Sequence, residues 1–199
     1  MKKGVTMKLL LIPTIFLFAL TGCTDMGTAW QSYNNEQEAS LLNSYGVNAG
    51  GTQKIVYQTP PDVQWKKGAS NLSRDGGFTR IYIPQNEDIA NWSQSLYEIY
   101  FPKSGTLGTV KQLLVASQQA AASMCKKIDW KVLQEKPGYA VYQSNGYDCA
   151  GEGNKFVVGK IIQGSDGLYE LQYFAMTRLA PNYIKQGIAS VSAARLEAK

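Results

Sequence analysis

Apolar and polar positions divide the chain into an aperiodic first part and a periodic second part. Thr79-Arg80-Ile81-Tyr82-Ile83 alternates and stops at Pro84, and a second run sets Leu96, Glu98 and Tyr100 against Tyr97, Ile99 and Phe101. A period of two over such runs predicts strands. Thr109 then stands as the N-cap of a helix in which Val110, Leu113, Leu114, Ser117, Ala121, Met124, Cys125 and Ile128 recur every three or four residues. Lys111, Gln118 and Gln119 fall on the wet side of that stripe, with Lys126 and Lys127 near the negative end of the helix dipole. Two hairpins follow, 130–134 with 139–143 across Lys136-Pro137-Gly138, and 156–162 with 168–175 across Gly164-Ser165-Asp166-Gly167. A last helix starts near Asn182 and carries Ile184, Ile188, Val191 and Leu196. This order predicts an α+β fold: an antiparallel sheet of about six strands with the central helix and the C-terminal helix packed on one face.

The stretch from Thr24 to Gly77 keeps no such period. It is rich in Asn, Gln, Ser and Gly, and Asn48-Ala49-Gly50-Gly51 and Pro60-Pro61 break it. It reads as a largely irregular tether over 23–77 ahead of an α+β domain over 78–199, with room for a short helix near 35–44. Trp30 and Tyr33 in the tether, and Trp92 in the polar stretch between the first two strands, are aromatic residues outside the periodic pattern. A membrane-anchored domain needs such a spacer to reach past the headgroups, and Trp30 and Tyr33 near the membrane fit a docking motif equally well; with Trp92 they are the candidate partner-binding residues.

Residues 1–22 have a different character. Lys2, Lys3 and Lys8 precede an apolar run from Leu9 to Leu20 and a small-residue site ending at Gly22, the layout of a secretory signal. Met7-Lys8 with that run would already be a sufficient start. The run is about a dozen residues long, whereas a helix needs about 20 to span a bilayer. Leu20-Thr21-Gly22-Cys23 matches at every position the lipobox of bacterial lipoproteins, which this chain resembles. The resemblance implies that Cys23 is lipidated and becomes the mature N-terminus. It also implies that three acyl chains hold the protein firmly where one binds only reversibly, and that Thr24 favours the outer membrane, on its periplasmic face.

That reading changes the charge and the cysteine accounting. The whole chain carries a formal +5. Removing three lysines and no acid leaves 17 basic against 15 acidic residues, or +2. Without a basic cluster there is no electrostatic case for nucleic acid. With Cys23 taken by lipid, Cys125 and Cys149 remain as one pair in an oxidising compartment and are expected to form a disulfide. Their spacing is not that of a redox-active Cys-x-x-Cys motif.

The chain has no histidine, which removes Ser-His-Asp and Cys-His sites and the commonest metal ligand. No metal, no cofactor and no enzyme activity is expected. A carboxylate-based enzyme acting on envelope glycan or peptide is the alternative, with Glu98 and Glu170, both mid-strand, as the acids to watch. Glu87, Asp88, Asp148, Glu152 and Asp166 sit in turns, where acids are ordinarily solvated or cap the backbone. A small-ligand binder is the other alternative. The segments Tyr82-Ile83-Pro84, Asn91-Trp92, Asn145-Gly146-Tyr147-Asp148-Cys149 and Gly164-Ser165-Asp166-Gly167-Leu168-Tyr169 resemble small exported proteobacterial proteins of unassigned function, over about residues 78–176. That group offers no catalytic residues to carry over. The function expected from all of this is a structural or interaction component of an envelope protein assembly, such as a secretion complex, binding another envelope protein.

Overall fold

The computed structural model describes residues 51–199 except 74, 104, 106, 151, 152, 178 and 180. The signal, Cys23, Trp30, Tyr33 and the short helix near 35–44 lie outside the described residues. The elements in order are β1 (Gln53–Val56), β2 (Trp65–Leu72), β3 (Phe78–Pro84), β4 (Gln94–Pro102), α1 (Val110–Met124), β5 (Cys125–Lys136), β6 (Tyr139–Cys149), β7 (Lys155–Gln163), β8 (Gly167–Met176), α2 (Pro181–Ala193) and β9 (Arg195–Ala198). Seven strands form one antiparallel sheet in the order β2-β3-β4-β8-β7-β6-β5, while β1 and β9 pair as a separate ribbon.

The α+β class and both C-terminal hairpins agree with the period of the sequence. Three details differ. The ordered domain starts by Gly51 and not at Phe78, because β1 and β2 belong to it. Neither advertises itself: β1 is four residues long, and β2 is an edge strand with two lysines, a glycine and a bulge between Lys67 and Ala69.

The second difference is at the end of α1. Thr109 does cap it: its hydroxyl oxygen accepts the Gln112 N–H at 3.2 Å, and the Gln112 side chain in turn accepts the Gly108 N–H at 3.1 Å. The helix stops at Met124, and Cys125 is already extended (φ −121°, ψ 145°) although its N–H still reaches Ala121 O. Ile128, Lys126 and Lys127 therefore belong to β5, where Ile128 and Trp130 are half-buried and Lys127, Asp129 and Lys131 face water. A period of two starts where the helical period was read to continue.

The third difference is the side taken by each helix. Leu113 and Leu114 of α1 pack with Ala140, Tyr142, Ile161 and Leu168. Val191 of α2, with Ile184 and Ile188 beside it, packs with Val141, Val158, Leu171 and Tyr173. Alternate residues of one strand point to opposite faces, so α1 and α2 cover opposite faces and not one. The physical reason is legible in the middle strands. Val157-Val158, Ile161-Ile162 and Leu168-Tyr169-Glu170-Leu171 present bulky groups to both sides, and a sheet apolar on both faces needs a cover on each. Two close approaches belong to this packing, one between neighbouring strands under α1 and one between α2 and the sheet. A Cβ on Gly159 would lie 2.3 Å from Tyr142 Cζ, and one on Gly187 would lie 2.2 Å from Tyr173 Cδ1.

The β1–β9 ribbon lies on the α2 face, where Ile55 and Leu196 cover Phe78, Tyr100 and Tyr169. The Asp166 carboxylate accepts the Thr52 N–H, the Thr52 hydroxyl (2.9 Å) and the Tyr169 hydroxyl (2.8 Å), and Lys199 Nζ donates to Gly51 O at 2.7 Å. Gly51, Thr52 and Lys199 are thus pinned together at the end of the sheet where β4 ends and β8 begins.

Candidate functional site

At the opposite end of the sheet, residues 85–93 join β3 to β4. Glu87 accepts the Ser93 N–H at 2.6 Å, Asp88 accepts the Ala90 N–H at 2.9 Å, and Asn91 N–H reaches Asp88 O at 3.0 Å. The acids of this turn cap backbone, as turn acids ordinarily do. Ile89 folds back over Gly68, where an added Cβ would lie 3.1 Å from its Cδ1. The connection is thereby held firmly, and it presents Trp92 beside β8. Trp92 meets Phe174 edge-on with ring centroids 6.3 Å apart, and Phe174 meets Tyr97 at 4.7 Å. Lys155 Nζ stands 5.5 Å from the Trp92 ring. These three rings lie on the face that carries α1, but α1 packs on β5, β6 and β7. Trp92, Tyr97 and Phe174 all remain partly exposed, as do Ile81, Ile99 and Val157, which the register puts on the same face.

Under α1 lies the most deeply buried acid among the described residues. Glu170 is 1% exposed. It accepts the Tyr142 hydroxyl at 2.6 Å and the Ser117 hydroxyl at 3.3 Å, while Gln172 donates to the Tyr142 oxygen at 2.9 Å. Burial pushes the Glu170 carboxyl above the usual glutamate range, against the opposing pull of the hydroxyl donors. The Tyr142 ring stacks on Trp130 at 4.4 Å and 17°.

Glu98 lies on the other face. It accepts the Tyr57 hydroxyl at 2.8 Å and stands 3.5 Å from both the Tyr82 hydroxyl and the Arg80 guanidinium. Burial, followed by the charge of Glu98, drives the Tyr57 hydroxyl well above its ordinary value. Glu98 pairs across the strands with Leu171, the neighbour of Glu170, so the two mid-strand acids point away from each other through the sheet. They do not converge on one cleft, which a two-carboxylate hydrolase requires.

Cys125 and Cys149 are bridged. They face each other in register across β5 and β6, and the disulfide joins the end of α1 to the end of β6. Among the described residues no group of three His, Cys, Asp or Glu side chains could hold a metal ion, and no helix is long and apolar enough to cross a membrane.

No protein-family profile matches the chain, and no curated protein does. Among solved structures it is similar to LpqN of Mycobacterium tuberculosis, a protein described as involved in cell envelope biogenesis. The two share 12% identity over 75% of this chain and 86% of that one, with a TM-score of 0.43.

Of the three aromatics singled out in the sequence, Trp92 is the one among the described residues, and it sits in a partly exposed aromatic row. Its neighbours Phe174 and Tyr97 were missed. Both lie in strands on the phase opposite to buried Leu96 and Tyr173, and an aromatic on the outward phase of a strand is the signal that could have found them. Tyr57 and Trp65 were missed because their segment reads as tether.

Proposed function

We propose that this protein is a lipid-anchored component of an envelope protein assembly, and that the Trp92–Phe174–Tyr97 row is where its domain docks on another protein. The observation that carries the reading is the position of that row. It is a partly exposed aromatic strip on the half of the sheet beyond α1, at the end of the domain opposite Gly51, where the chain arriving from Cys23 joins the fold.

The lipobox supports attachment through Cys23, at the periplasmic face of the outer membrane. Between Cys23 and Gly51 lie 27 residues, which at about 3.4 Å each reach at most about 90 Å. A reach of that length lets the far end of the domain meet a periplasmic partner. Aromatic side chains are what protein interfaces use most, and a buried Trp anchor is worth about 2 kcal/mol or more.

Crosslinking in cells followed by mass spectrometry tests the docking. The wild-type chain is expected to give a reproducible partner of the envelope, and a Trp92→Ala/Phe174→Ala variant with an unchanged unfolding midpoint is expected to lose it. Recovery of the wild type only as a free monomer would overturn the reading. Palmitate labelling of Cys23→Ser tests the anchor: the label should vanish, and normal labelling would remove that premise.

A further inference from the structure

β5 ends the seven-stranded sheet, so the side of the strand turned away from β6 has no strand beside it among the described residues. It is the longest strand of the sheet, with 12 residues, and everything from Lys131 to Lys136 is exposed. Val132 and Leu133, 38% and 40% exposed, are two of the three large hydrophobic residues left exposed among the described residues. An open edge of this kind is a template for another strand. We propose that β5 pairs antiparallel with β5 of a second copy of this chain, about a two-fold axis at Trp130, so that two sheets run on as one.

The residues of the strand select both the occupant and the register. A bulge between Val132 and Gln134 ends the regular stretch, which runs from Cys125 to Val132 and holds Asp129 as its single acid. Lys127 at 3.5 Å and the Tyr147 hydroxyl at 2.9 Å hold the Asp129 carboxylate in place, whereas Lys131 has no acid partner in its own chain among the described residues. Residues opposed across a continued sheet share a face, so Lys127, Asp129 and Lys131 meet one another, as do Ile128, Trp130 and Val132. With the axis at Trp130, Asp129 of each copy stands opposite Lys131 of the other, and Ile128 stands opposite Val132. An axis at Asp129 or at Lys131 sets like charge on like. An axis at Ile128 sets Lys131 against the Cys125 bridge, and one at Val132 runs the pairing across the bulge. Edge lysines repel a chance strand, but this strand carries its own complement, which is what an isologous interface between two copies requires. The 27 residues between Cys23 and Gly51 span up to about 90 Å, more than the roughly 40 Å length of a 12-residue strand, so both copies can be tethered to one surface although their Gly51 ends point apart. The inference does not rest on the docking proposal, since Phe174 of the Trp92 row lies on β8, three strands away.

Sedimentation of the full-length chain, with detergent micelles in excess over protein, tests it. The wild type is expected to show a reversible equilibrium between monomer and dimer. Asp129→Lys and Lys131→Asp, both exposed changes, should each set like charges opposite one another twice and weaken the dimer about tenfold or more. An equal mixture of the two variants should recover it, because each then offers the charge that the other lacks. Carbodiimide treatment of a mixture of isotopically light and heavy wild-type chains should join Asp129 of one copy to Lys131 of the other. Trp92→Ala/Phe174→Ala should leave the dimer unchanged, which separates this edge from the docking row. A wild type that sediments as a monomer at every concentration, single variants that associate as well as the wild type, or a mixture that fails to recover the dimer would each overturn the proposal. Carbodiimide treatment of membranes that links β5 to a different protein, with no link between copies, would give the edge to that protein and overturn it too.

Discussion

Replacing both cysteines of the Cys125–Cys149 bridge by alanine tests how much of the domain's stability is lodged in its covalent closure. The bridge closes a loop with a sequence separation of 24 residues, and that loop holds nearly all of β5 and β6. In the chain-entropy treatment, opening a loop of that length returns about 3.5 kcal/mol of freedom to the unfolded chain. This is a large part of the 5–15 kcal/mol that typical domains possess. For a domain of about 150 residues it corresponds to a fall in melting temperature of roughly 7–14 °C. The folded side adds to the loss. A Cβ on Gly146 would lie 2.6 and 2.7 Å from the two sulfurs, so the bridge rests directly on that backbone, and Cys149 is 1% exposed. Two alanines leave part of this space empty. The assay is urea unfolding of the oxidised wild type, the reduced wild type and the Cys125→Ala/Cys149→Ala variant. The reduced wild type should lie about 3.5 kcal/mol below the oxidised form, and the double variant lower still by the cost of the space its alanines leave. A variant as stable as the oxidised wild type would refute the reasoning, because the bond would then restrict nothing that the unfolded chain explores.

Three further outcomes follow from the packing and the charges. Gly159→Ala puts a methyl 2.3 Å from the Tyr142 ring, which Trp130 stacking and the Glu170 and Gln172 hydrogen bonds hold in place; a loss of about 1–3 kcal/mol is expected, and a wild-type urea midpoint would contradict it. Burial raises the Glu170 carboxyl above its ordinary 4.5, so as pH rises past 4.5 the unfolded chain loses this proton first and the folded state loses stability until the buried group ionises too. Glu170→Gln should therefore gain on the wild type as pH rises above 4.5 in paired urea titrations, and parallel profiles would show that Glu170 is not the cause. For Asp166, burial alone would raise the carboxyl, but the hydrogen bonds from Thr52 and Tyr169 outweigh it and hold it below its ordinary 3.8. Its contribution is present above pH 3.8 and lost as pH falls through the lower folded value. Asp166→Asn should cost about 1 kcal/mol and speed amide exchange at Thr52; unchanged exchange would remove Asp166 from the clamp.

What the sequence by itself determined is whatever a short window encodes. The alternation in β3 and β4, the Thr109 cap with Gln112 three residues on, and the glycine-bearing turns of the two hairpins are local patterns, and each formed where its period put it. The cysteine pair was also legible, because once Cys23 is assigned to lipid only one pairing remains. Everything that depends on which distant surfaces meet was left to the tertiary structure. β1 and β9 are four residues each, too short to show a period, and they exist as strands because residues 53–56 and 195–198 find each other across the whole domain. The helices lie on opposite faces because the middle strands are bulky on both sides, a demand that a helix's own stripe cannot express. The same holds for the site: Trp92 stood out in the sequence, but Phe174, Tyr97 and Lys155 became its neighbours only through the pairing of β4, β8 and β7. A side chain's phase along a strand is a local property. Whether that phase meets a helix, a ribbon or open solvent is settled only when the layers pack.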